Sequence, residues 1–142
     1  MKLLIIEDHP KIRGNLIEYF ELNGYTAEGA VHGEEALTML HANDDIIILD
    51  MNMPIRDGKT FIKKIRENGI QTPVIVLTSN SLIDDKVTMF DLGADDYVTK
   101  PFDMREIEAR VIALSRRREK TIEEVIEFDG YTLEVRKKIL RK

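Results

Sequence analysis

The sequence predicts an α/β protein: a doubly wound, five-stranded parallel sheet with helices on both faces and a short C-terminal β tail. Three observations carry that prediction. Short apolar runs alternate five times with segments of helical periodicity. The runs LLII, IIIL and VIVL are apolar at every position, as in a sheet covered on both faces. Polar groups close most of these runs, and parallel strands joined by right-handed crossovers bring those ends to one edge.

The elements follow in order. Leu3–Ile6 is the first strand and ends at Glu7 and Asp8. Ile12, Leu16, Tyr19 and Phe20 then fall at helical spacing, with Gly24 placed as a C-terminal cap. Tyr25–Ala30 is a weaker second strand, followed by a helix from Glu34 to Ala42. Ile46–Asp50 is the third strand. A loop with Pro54 and Asp57-Gly58 leads to a helix whose apolar face is Phe61, Ile62 and Ile65. Pro73–Thr78 is the fourth strand. Ser81 and Asp84 suit a capping box for a helix to Leu92, closed by Gly93. Tyr97–Thr99 is a short fifth strand. Asp103 and Glu106 repeat the capping-box pattern for a helix through Ile107, Val111 and Leu114 to Arg118.

Bulk properties narrow the class. With 142 residues, 43% hydrophobic and 33% charged, the chain suits one soluble domain plus a short extra segment. No apolar run approaches the ~18 residues of a membrane span, so no membrane association is expected. MKLLIIED is too short and too soon acidic for a signal peptide. With no cysteine there is no disulfide framework or thiolate metal site, and a reducing cytoplasm is the simplest compartment. The net charge of −5 argues against broad nucleic-acid binding. Basic residues do cluster at Arg116–Lys120 and Arg136–Lys142; the first cluster suits a helix C-terminus.

The stretch IIILDMNMP carries the chemistry. A buried strand there stops on Asp50, a carboxylate with no basic neighbour in sequence, and a buried charge is costly unless something pairs with it. Ligands in doubly wound sheets bind beyond the carboxyl ends of the strands. On that edge the chain sets Glu7-Asp8, Asp50, Thr78 and Lys100-Pro101. Carboxylates converging there need a cation, and an all-oxygen acidic site suits Mg²⁺, which favours phosphate as co-ligand. Mg²⁺, an ammonium and a hydroxyl around one carboxylate would stabilise an arriving phosphoryl group, with Asp50 as the nucleophile. His9, His32 and His41 show no ligand spacing and read as surface or loop residues.

The sequence resembles the receiver domain of bacterial two-component response regulators. LLIIEDHP, IIILDMNMPIRDG, PVIVLTSN and GADDYVTKPF carry the resemblance, which spans residues 2 to about 118. It implies a flavodoxin-like fold with strand order 2-1-3-4-5, and a phosphorylation-activated switch rather than an enzyme. Carried over by position, Glu7 and Asp8 are the acidic metal pair, with Asp8 the more direct ligand. Asp50 is the phosphoacceptor and a metal ligand, and the backbone carbonyl of Asn52 is a further one. Thr78 is the hydroxyl that follows the phosphoryl group, and Lys100 is the ion-pair partner of acceptor and phosphate. Tyr97 is the aromatic whose rotamer moves with Thr78, and Pro101 is a cis-peptide position. Asn52 and Asn80 occupy positions that tune phosphoryl lifetime. The implied partners are a sensor histidine kinase and, on phosphorylation, a second copy of the chain. Lys86, Asp95, Asp96, Glu106 and Arg110 would supply that dimer's charged contacts.

The tail is read separately, giving a receiver domain over 1–119 and a linker with incomplete effector strands over 120–142. IEFDGYTLEV alternates about Asp129-Gly130, a hairpin signal. It resembles the first strands of an OmpR/PhoB-type winged-helix domain, so DNA would be bound only through an effector domain largely absent from these residues. The rival is a haloacid-dehalogenase-type phosphatase with Asp50 as nucleophile. Its general acid belongs where Asn52 stands, and its acidic pair follows the lysine instead of preceding it. In a flavodoxin-like cofactor protein, Glu7-Asp8 would repel the flavin phosphate, and a P-loop enzyme lacks its glycine-rich lysine loop here.

Overall fold

The computed structural model describes residues 1–40, 44–50, 55–79 and 83–116, the side chains of 55–57 and 83–85 excepted. The chain divides into two compact units, Met1–Val111 and Ile112–Lys142. In the second, the description extends over residues 112–116, which are helical. The 126–135 hairpin expected in the tail lies outside the described residues.

The first unit runs β1 (Lys2–Ile6), α1 (Pro10–Leu22), β2 (Thr26–Ala30), α2 (Gly33–Met39), β3 (Ile46–Asp50), α3 (Ile55–Glu67), β4 (Val74–Thr78), α4 (Ile83–Leu92) and β5 (Asp96–Thr99). Helical residues from 104 onward form α5. The sheet is parallel in the order β2-β1-β3-β4-β5, as expected. Every residue of β3 and β4 is buried. Leu4, Ile6, Ile47, Leu49, Val74 and Val76 pack with Phe61, Ile62 and Ile65 of α3. The alternate positions Leu3, Ile5, Ile48, Ile75 and Leu77 are equally buried, so both faces are covered. Full burial of each such side chain contributes roughly 1.5–3 kcal/mol.

Several boundaries differ from the sequence reading. The second helix ends at Met39 rather than Ala42, because Leu40 turns extended at ψ 128°. Asp57-Gly58 lies inside the first turn of α3, not in a loop; the helical face built from Phe61, Ile62 and Ile65 outweighs a turn-prone dipeptide there. At α5, Asp103 Oδ1 does accept the Arg105 N–H at 2.8 Å. The reciprocal half of the expected box does not form, because Glu106 pairs with Arg110 four residues on. The box proposed at Ser81 and Asp84 lies outside the described residues. Gly93 does close α4, at φ +117°.

Two histidines have roles the sequence did not suggest. His9 Nδ1 accepts the Lys11 N–H at the start of α1, and His32 Nδ1 accepts the Glu35 N–H at the start of α2. Glu35 in turn accepts the Val31 N–H at 2.6 Å, a reciprocal bond like that of a capping box but made to the residue before the cap, with imidazole in the usual place of a hydroxyl.

The edge opposite the strand ends is fastened by Arg66. Its guanidinium donates to the carbonyls of Gly93, Ile70 and Thr72 and to Asp95 Oδ2. Asp95 Oδ2 also accepts the Val74 N–H at 2.9 Å. One planar fork thus ties the end of α3 to the entries of β4 and β5.

Candidate functional site

The strand order reverses between β1 and β3, and the candidate residues gather beyond that switch point. Ile6 pairs with Leu49, so the next residues, Glu7 and Asp50, leave the two strands at the same level. Asp50 pairs with Leu77 and Thr78 with Thr99, which brings Thr78 and Lys100 to the same rim. The Lys100 N–H donates to the Thr78 carbonyl at 2.7 Å, fixing the start of the loop after β5. The Lys100-Pro101 peptide is cis, as expected.

Asp50 is fully buried, and Lys100 supplies the cation that the sequence required. Its Nζ lies 2.6 Å from Asp50 Oδ1, while the lysine side chain stays 20% exposed. Asp50 Oδ2 meets no N–H donor among the described residues. Thr78 is buried beside it in the rim, 2% exposed.

The acidic pair approaches Asp50 unevenly, Glu7 directly and Asp8 by way of Glu7. Glu7 is fully buried, and its Oε2 accepts the His9 N–H at 2.8 Å. Arg13 anchors this turn by donating to the Glu7 carbonyl at 2.8 Å. Neither contact was foreseen; Arg13 reaches Glu7 only once α1 has folded back over β1. Burial, and then the hydrogen-bonding contact with Asp50, raise the Glu7 carboxyl above its ordinary range. Asp8 is exposed and is raised chiefly by its contact with Glu7. Three acids therefore run in sequence through Glu7, and among the described residues no three His, Asp or Glu side chains close around a common point. Mg²⁺ needs no such cage, since it takes one or two carboxylates and keeps its waters. The donor set fits that ion: all oxygen, with two acids whose charged forms are disfavoured by burial and by one another, and an Asp50 oxygen that no N–H reaches among the described residues. Asn52 and Asn80 lie outside the described residues.

The proposed dimer residues are placed on α4, β5 and α5. Arg110 Nη1 sits 2.9 Å from both oxygens of Asp96, and its Nη2 reaches Glu106 at 3.2 Å. Lys86 Nζ stands 5.5 Å from the centre of the Tyr97 ring. Val87 and Phe90 on α4 are large apolar side chains about half exposed. Asp95 is set apart from this group by its engagement with Arg66.

The family model for the response regulator receiver domain matches residues 3–112. The chain belongs to that family. Among its relatives, the transcriptional regulatory protein PmrA of Pectobacterium parmentieri is 38% identical over 95% of this chain and 61% of its own length. The transcriptional regulatory protein DltR of Streptococcus agalactiae is 40% identical over 78% of this chain and 50% of its own. The chain thus spans about half to three-fifths of such relatives. The receiver domain of the Francisella response regulator 1452 superposes with a TM-score of 0.75 at 37% identity, over 82% of this chain and 98% of that one. The chemotaxis protein CheY4 of Vibrio cholerae gives 0.73 at 30% identity, over 80% and 97%. The receiver is a signalling switch, and the phosphatase alternative finds no support in these relatives. Among the described residues no helix is long and apolar enough to cross a membrane.

Proposed function

We propose that Asp50 is the phosphoacceptor of this receiver. The observation that carries the reading is a fully buried carboxylate at a strand end, held 2.6 Å from a half-buried ammonium. In phosphotransfer from a sensor kinase, an Asp50 oxygen attacks the phosphorus of phosphohistidine. The new O–P bond forms as the N–P bond breaks, and the leaving imidazole nitrogen takes up a proton. Lys100 holds Asp50 before transfer and then pairs with the phosphoryl oxygens. Thr78, at the adjacent strand end, offers its hydroxyl to the same oxygens. Asp8 and Asp50 would hold Mg²⁺ with the Asn52 carbonyl, Glu7 supporting them; the ion would neutralise charge on the transferring group.

The proposed output is transcriptional control, a reading supported by the relatives being transcriptional regulators. In an OmpR/PhoB-type, cytoplasmic regulator, phosphorylation favours a homodimer through Lys86, Asp96, Glu106 and Arg110 around Val87 and Phe90, with Asp95 at its margin. In this reading the receiver spans 1–119, and residues 120–142 belong to the linker and effector region through which DNA is bound. The test is incubation with Mg²⁺ and a small phosphodonor. Hydroxylamine-labile phosphate on the protein, reduced by Asp8→Ala, supports the reading; stable phosphate, or labelling indifferent to Mg²⁺, overturns it.

A further inference from the structure

Lys86 and Phe90 are one helical turn apart on α4, so they share a face. Both meet the same ring. Lys86 Nζ lies 5.5 Å from the centroid of Tyr97, and the Phe90 ring lies 6.3 Å away, tilted by 45°. Tyr97 stands on β5, an edge strand, opposite Val76 and two residues before the Thr99 that pairs with Thr78. The ring itself is half-buried and packs on the core formed between the sheet and α3. Phe90 itself is 46% exposed.

We infer that Lys86 and Phe90 form a clamp that holds Tyr97 in its unphosphorylated position. The inference rests on the phosphoacceptor reading for its input, since the clamp opposes the Tyr97 movement that phosphorylation at Asp50 would drive. It also makes Lys86 bifunctional. While its ammonium lies on the Tyr97 ring it is committed within the chain. Once the ring leaves, the same ammonium and the uncovered Phe90 become available to a second copy. The clamp and the dimer contact are therefore mutually exclusive uses of one side chain, and each state weakens the other.

A background in which the dimer contact is already lost isolates the clamp. Lys86→Met keeps the aliphatic stem and removes the charge, and is compared with the parent in Arg110→Glu protein. If Lys86 acts only in the dimer, the change leaves the apparent affinity for beryllium fluoride with Mg²⁺ unaltered there. If it clamps Tyr97, the change releases the resting state and tightens that affinity by about two- to fivefold, the worth of an exposed cation–π contact. The readout is ¹⁹F NMR of protein carrying 3-fluorotyrosine, the Tyr97 resonance being identified by its loss in Tyr97→Phe. The expected results are a shifted Tyr97 resonance in the resting Lys86→Met protein, tighter binding of the mimic, and no Lys86→Met effect in a Tyr97→Leu background. Unchanged or weaker binding by Lys86→Met overturns the clamp while leaving the phosphoacceptor reading intact. Failure of the parent protein to bind the mimic at all overturns that reading and the clamp with it.

Discussion

Arg66 offers a stability prediction that can be worked from its contacts. Replacing it with Ala removes donors from three carbonyls and one carboxylate. The losses are not equal. Thr72 is buried at 6% exposure, so its carbonyl would be left without its donor, at about 1–3 kcal/mol. Gly93 and Ile70 are partly open and regain water, and Asp95 is 39% exposed and keeps the Val74 N–H. Loss of the arginine stem adds a packing term. Burial lowers the Arg66 guanidinium pKa while Asp95 raises it, in keeping with a partly desolvated ion that its partners must hold. Together these give a cost of about 2–4 kcal/mol. Arg66→Lys should recover less than half, because one point charge cannot span four acceptors. Urea unfolding followed by circular dichroism measures both. A loss under about 0.5 kcal/mol for Arg66→Ala, the range of an ordinary surface change, would refute the reasoning.

Gly93→Ala should be destabilising for two separable reasons: φ is +117°, and the new Cβ would lie 2.8 Å from Arg66 Nε. In an Arg66→Ala background only the backbone term remains, about 1–3 kcal/mol, so the double-mutant cycle should show coupling. Asp103, held at about 2 by Arg105, caps α5 in its charged form. A depressed carboxylate contributes stability above its ordinary pKa of 3.8 and loses it as pH falls through about 2, so the protection of the Arg105 amide relative to its intrinsic exchange rate should fall over that interval, and Asp103→Ala should abolish the dependence. Asp50→Asn should cost no more than about 1 kcal/mol, the net worth of one hydrogen bond, since the amide oxygen still accepts from Lys100 and the charge repulsion with Glu7 is removed; thermal denaturation showing a larger loss would contradict that.

What the sequence disclosed, and what it hid, divides by range. The strands were legible because β3 and β4 are buried at every position and so carry uninterrupted aliphatic runs bounded by polar residues. Register then followed from parallel pairing, and it is register that sets Asp50, Thr78 and Lys100 at one rim. The caps at His9 and His32 were missed because imidazole is an uncommon capping group; the spacing from His32 to Glu35 was the available signal. The Arg66 fastening was hidden because its partner Asp95 is 29 residues away and becomes a neighbour only in the folded sheet. The same distance concealed why Asp95 is set apart from the other charges near β5. Tyr19 and Tyr25 both reach Glu108, across 89 and 83 residues, and no local pattern signals either contact.

The central claim is that Asp50 carries the phosphoryl group. Its most direct test is fragment mass spectrometry of the protein after brief incubation with Mg²⁺ and a small phosphodonor, beside Asp50→Asn treated alike. One phosphoryl group localised to Asp50, and none anywhere in the variant, is the predicted result. An adduct that persists in Asp50→Asn, or free phosphate released by turnover with no adduct on Asp50, would contradict it.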